Sequence, residues 1–181
     1  ASISGLTTDA LAGLSSSKLM ALTTAQIASL TTAQMNALST AQMAALTDDQ
    51  FGALTAKQLS GLSTDLMAGL DVKKLEALTS KQIGSLSTAS FDALTLANIT
   101  ALNSVQISAL SAKHTATLSS DELSSFTDVE IALIKKNAIS GLSTETLSGL
   151  SAAKIKSFTT EQVQQMSDAQ VDVIVRAYSS N

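Results

Sequence analysis

Side chains able to do chemistry are few in this 181-residue chain, and they are scattered. The one imidazole belongs to His114, and there is no Cys. A general base needs a nucleophile and an orienting partner beside it, and Ser residues strewn along the chain do not make such a triad. His114 is therefore expected to be a surface imidazole. One His without Cys cannot build a zinc site, a thiolate nucleophile or an iron–sulfur centre. Carboxylates occur as Asp48-Asp49, Asp121-Glu122, Asp128 with Glu130, and Asp168 with Asp172. Calcium takes about six to eight oxygens converging from an Asp-rich loop with a Gly at its turn, and no such loop is present. Some of these acids are expected in first helical turns, where negative charge favours the helix dipole. Lys73-Lys74 and Lys135-Lys136 are the paired cations and read as solvated surface. No catalytic, metal or cofactor site is expected, and the chain does not read as an enzyme.

The elements that hold these residues follow from a repeat. From Leu6 the chain divides into 22 octads without insertion or deletion, the last being Ile174 to Asn181. Counting positions one to eight, the template is Leu, Ser/Thr, any, any, Gln, Ile/Leu/Met, any, Ala/Gly/Ser. Position one is apolar in all 22 octads. Position two is Ser, Thr, Asp or Asn in 20, failing at Lys135 and Val175. Position six is a large apolar residue in 20, failing at Thr115 and Ser179. So strict a frame predicts one continuous array over 1–181, with diverged repeats from 126 onward.

A continuous α-helix advances about 100° per residue, so an eight-residue repeat overshoots two turns by roughly 80°. Its apolar row would spiral around the rod and present no lasting face, which excludes a long helix or coiled coil. The helix must break in every octad. Thr23 followed by Gln26 is a capping box, and the spacing recurs at Thr31 with Gln34, Ser39 with Gln42, Thr47 with Gln50, Thr55 with Gln58, and Thr159 with Gln162. Position six and the next position one, such as Ile27 and Leu30, lie three residues apart and share the inward face. Helices this short are unstable alone, so stability must come from stacked neighbours.

The fold class expected is thus all-α, a solenoid of about 22 very short capped helices. A β-solenoid is the alternative, but Ala, Gln, Lys, Met and Leu prefer helix, and Asn-Gly or Asp-Gly turn pairs are absent. Gly13, Gly61, Gly69, Gly141 and Gly149 stand at position eight, either to end a helix in the left-handed conformation or to make room. Phe51, Phe91, Phe126 and Phe158 all stand on the apolar ladder, which leaves no aromatic platform for a sugar or a base. Tyr178 is off it.

Composition excludes further classes. The net charge is −4, pI is near 4.8 and charged residues make up 14%, which argues against a nucleic-acid surface. Each octad interrupts the apolar residues long before a membrane span's length, so no membrane span is expected. Mean hydropathy of +0.26 reflects Leu and Ala in a core. The chain starts at Ala1 and lacks the basic-then-apolar pattern of a signal peptide, as expected of a processed protein or a fragment.

Segments such as Leu30-Thr31-Thr32-Ala33-Gln34-Met35 and Leu38-Ser39-Thr40-Ala41-Gln42-Met43 resemble the tandem L-T-T-x-Q-[IVM]-x-A octapeptide repeats of largely uncharacterised bacterial proteins. The likeness covers essentially the whole chain, weakening from about Phe126, where Ile134-Lys135-Lys136-Asn137 loses the cap. It implies an extracellular or cell-surface, structural role and transfers no catalytic residue.

Ala1 to Gly5 read in phase as positions four to eight, with Ile3 as a rung, and no polar capping unit is visible there. At the other end Val171, Val173, Ile174 and Val175 are unusually apolar, with Tyr178 beside them. Uncapped arrays invite head-to-tail contacts between copies, and a heterologous contact that does not close makes a filament. The expected function is a self-assembling fibre or surface-layer protein, with Ile3, Val171, Val173, Ile174, Val175 and Tyr178 at the contact. The alternative is a monomeric binding scaffold or adhesin stalk for other surface proteins. Ice or mineral binding by a Thr row is weaker, because position two is already used in capping.

Overall fold

A computed structural model describes Ile3 and residues 5–179. Ala1, Ser2, Ser4, Ser180 and Asn181, which the octad frame includes, lie outside the described residues, as does the Ser179 side chain. The described residues form 21 helices and no strand.

Most of the helices are built as the cap chemistry dictates. Thr23 has an extended backbone, φ −72° and ψ 157°, and its Oγ1 accepts the Gln26 N–H at 3.2 Å. Gln26 Oε1 in turn accepts the Thr23 N–H at 2.8 Å. All six capping boxes expected from the sequence are present. The helix starts one residue after the cap, at position three, and stops near position eight. There the next Leu N–H bonds back three residues, as from Leu30 to Ile27 at 3.1 Å and from Leu54 to Phe51 at 3.1 Å. A hydroxyl starts most of the helices, Asp71 and Asn103 start α9 (Val72–Glu76) and α13 (Ser104–Ile107), and a tightened turn ends them.

The chain divides into two compact units, residues 1–101 and 102–181. The first holds α1 (Thr8–Ala12), α2 (Ser16–Met20), α3 (Thr24–Ala28), α4 (Thr32–Asn36), α5 (Thr40–Ala45) and α6 (Asp48–Gly52). It continues with α7 (Ala56–Ser60), α8 (Thr64–Ala68), α9 (Val72–Glu76), α10 (Ser80–Gly84), α11 (Thr88–Asp92) and α12 (Leu96–Thr100). The second holds α13 (Ser104–Ile107), α14 (Ala112–Thr115), α15 (Ser120–Ser125), α16 (Asp128–Leu133) and α17 (Lys136–Ile139). After these come α18 (Thr144–Ser148), α19 (Ala152–Ile155), α20 (Thr160–Val163) and α21 (Asp168–Ser179).

Within each unit a helix packs on the third helix after it: α1 on α4, α2 on α5 and α6 on α9 in the first, α13 on α16 and α14 on α17 in the second. One solenoid turn therefore takes three octads, 24 residues. Positions one and six fill the interior, with Ile27, Leu30, Phe51, Phe91, Phe126 and Phe158 all buried. The glycine question resolves toward space. No described residue has a positive φ, while a Cβ on Gly61 would run into the Thr32 methyl one turn back, and one on Gly141 into the Ala112 carbonyl.

The two failed caps have different outcomes. Lys135 makes no side-chain cap bond, yet the chain still breaks there and α17 restarts at Lys136. That helix is packed between α14 and α20, so stacking imposes the break that the cap does not. Val175 also cannot cap, and there the helix runs on, so α21 spans 12 residues and absorbs the octad expected to form its own helix. It lies against α18 and α19.

Candidate stacking and assembly surfaces

The most consequential side chain of the octad is the position-five Gln. Its Oε1 closes the capping box, and its Nε2 donates to backbone carbonyls a full turn earlier. Gln58 Nε2 donates to the Ile27 and Leu30 carbonyls at 2.9 and 2.8 Å. Gln50 reaches Leu19 and Leu22, Gln162 reaches Ile131 and Ile134, and Gln170 reaches Ile139 and Leu142. One carbonyl of each pair lies in the last turn of a helix, where intrahelical donors run out, and the other in the turn that follows it. Gln58 is 2% exposed, and both ends of its amide are satisfied. A residue read as a local cap is thus also the staple between turns. One signal for this lies in the sequence: Glu caps as well as Gln, but it cannot donate, and position five favours Gln.

Other donors substitute at that position. Asn98 Nδ2 reaches the Leu70 carbonyl, Thr146 Oγ1 the Leu118 carbonyl and Lys154 Nζ the Phe126 carbonyl. Lys74, expected at the solvated surface, is buried, and its Nζ lies 2.7 Å from Asp48 Oδ1. The hydrogen bond from Lys74, and then its charge, hold the Asp48 carboxyl below its ordinary value of 3.8. Lys135 and Lys136 are exposed as expected.

His114, expected at the surface, is buried as well. It is 2% exposed, because it occupies the staple position and its Nδ1 accepts the Ser111 N–H at 3.3 Å. Thr115, which looked like a gap in the apolar ladder, is fully buried, and its Oγ1 donates to the Ala138 carbonyl at 2.6 Å. Ala138 stands where Gln would otherwise staple, so here the earlier turn supplies the donor. Asp48, Asp49, Asp121, Glu122, Asp128, Glu130 and Asp168 lie in first helical turns as the dipole reading expected. Among the described residues no group of three or more His, Asp or Glu is placed to hold a metal ion, and no helix is long and apolar enough to cross a membrane.

Of the residues expected at an assembly contact, Ile174 is buried, Ile3, Val171 and Val173 are half-buried, and Val175 and Tyr178 are exposed. Ile155, Lys156, Val163, Ile174, Val175 and Tyr178 line an apolar cavity of about 230 Å³. Lys156 Nζ sits over the Tyr178 ring, 5.3 Å from its centroid, and both side chains border that cavity. A larger groove of about 580 Å³ borders Leu133, Lys135, Lys136 and Glu161.

No curated protein matches the chain. The family model described as the ALTTAQ repeat matches residues 16–48 and 31–64, the stretch from α2 to the start of α8, and the chain is a tandem-repeat protein.

Proposed function

We propose that the chain is a non-enzymatic structural protein of the cell exterior whose turns stack head-to-tail between copies, building a fibre or a surface layer. The carrying observation is the chemistry of the Gln58 staple. Its acceptors are backbone carbonyls, so an octad turn of one copy offers the same acceptors to another whatever side chains it bears. Val175 and Tyr178, exposed over the cavity beside Ile155, add apolar surface to such a contact. The exterior location rests on composition, with no Cys to be oxidised and a low-charge surface of Ser and Thr. Electron microscopy with sedimentation velocity across a concentration series tests the proposal. Filaments, or oligomers growing with concentration, support it, and monomers at every concentration sink it.

A monomeric scaffold for protein partners is the second reading. Val105 and Val129 favour it, both about two-thirds exposed and at the same position of stacked octads in α13 and α16. A partner captured by the native chain and lost on Val105→Asp/Val129→Asp would support that reading.

A further inference from the structure

We propose that four pairings between turns, each making a contact that the generic staple lacks, act as register locks that decide which octad stacks on which. The need for them follows from the repeat itself. Leu at position one and Leu, Ile or Met at position six are interchangeable from octad to octad, and the staple's acceptor is backbone. Looping out one octad, or exchanging octads with a second copy, would leave most generic contacts intact. A repetitive array therefore needs a few contacts that only one register satisfies.

The first lock is Asn36, whose Nδ2 donates to the Gly61 carbonyl at 2.7 Å while its Oδ1 accepts the Ser63 N–H at 2.9 Å. Neighbouring octads carry Ala28, Ala44 and Gly52 at that position, which can do neither. The second is Lys74 with Asp48. Stacked on an octad with Thr or Ala in place of Asp48, the buried ammonium would lose its counter-charge. The third is the set Thr115, Ala138 and Gly141. The hydroxyl bonds to the Ala138 carbonyl, and Gly141 leaves the room that a Cβ would take from Thr115. The fourth is Lys154, bonded to the Phe126 carbonyl and 3.8 Å from Asp128, which also accepts the Ser157 hydroxyl at 2.7 Å. Both lysines lie 26 residues after their Asp, position five over position three one turn back. Each compact unit holds two locks. The inference does not depend on assembly between copies, because a solitary chain faces the same choice of register.

The chain has no Cys, so Ala41→Cys/Asp65→Cys places two nitroxide labels at exposed, equivalent positions on stacked α5 and α8. Pulsed electron resonance then reads their separation in the full chain, with and without Asn36→Ala/Lys74→Gln, two changes to residue types that other octads use. The expected result is one distance in the parent and at least two in the unlocked protein, with helical circular dichroism retained and the dimer fraction raised at least about twofold. One parental distance with an unchanged dimer fraction overturns the proposal. If the double variant loses its helical signal, Lys74→Gln alone decides by the same two outcomes.

Discussion

The side-chain amide of Gln58 stands 2.8 Å from the Leu30 carbonyl, 28 residues earlier in the chain, while the same amide's oxygen caps the helix it belongs to. Local and turn-to-turn structure thus share one side chain. Gln58→Glu separates the two roles, because the carboxylate still accepts the Thr55 N–H but cannot donate to Ile27 or Leu30. A buried charge facing two carbonyls is expected to cost about 3 kcal/mol. Glu130→Gln runs the other way, adding a donor to a half-buried carboxylate that already caps Thr127, with a gain of up to about 1 kcal/mol. Urea denaturation of both variants reads the opposite signs, and equal effects would show that Gln58 acts only as a cap.

Substitutions at position eight distinguish close approach from helix ending. A Cβ on Gly141 overlaps the Ala112 carbonyl oxygen and Thr115 Oγ1, so Gly141→Ala is expected to destabilise by roughly 1–3 kcal/mol. Gly13 meets nothing nearer than the Asp9 carbonyl oxygen at 3.3 Å, and its φ of −77° suits any residue. Gly13→Ala is expected to stabilise by about 0.5 kcal/mol through the unfolded chain's lost freedom. Thermal denaturation of the pair checks it. Destabilisation by both would mean that Gly serves a backbone role the φ values do not reveal.

What the sequence made legible was the part governed by contacts within one octad. Thr23 with Gln26 is a three-residue relation, and Ile27 with Leu30 another, so caps, helix starts and the inward face could be read directly. The preference for Gln over Glu signals a donor at position five, but the staple's acceptor was not legible, because Gln58 and Leu30 are brought together by the number of octads per turn, which no single octad encodes. The same gap misplaced His114 and Lys74 at the surface, since both stand in the staple column. Val175 shows the converse limit. Its lack of a hydroxyl was plain, but whether the helix then breaks, as at Lys135, or runs on, as in α21, is decided by the neighbours packed against it.

Lys135→Thr tests how much a cap adds where stacking already forces the break. The hydroxyl would give α17 the side-chain acceptor it lacks, and about 1 kcal/mol of added stability is expected. No change in the denaturation midpoint would mean that packing against α14 and α20 holds the α17 N-terminus in a geometry a Thr cannot cap.

Acid should open the first unit partly through Asp48. Because Lys74 lowers its folded-state value below 3.8, the unfolded chain takes up the proton first as pH falls. The carboxylate's stabilising contribution is therefore complete above its unfolded value and is lost as pH drops through the lower folded one. Lys74→Met removes the hydrogen bond and the charge that contribute most to the shift, leaving the smaller effect of Lys73. Its melting temperature should consequently fall less than the parent's between about pH 5 and pH 2, the range in which carboxylates titrate. A parallel decline in the two proteins would show that Asp48 titrates no differently in the folded chain than in the unfolded one, and that the short contact to Lys74 is not kept in solution.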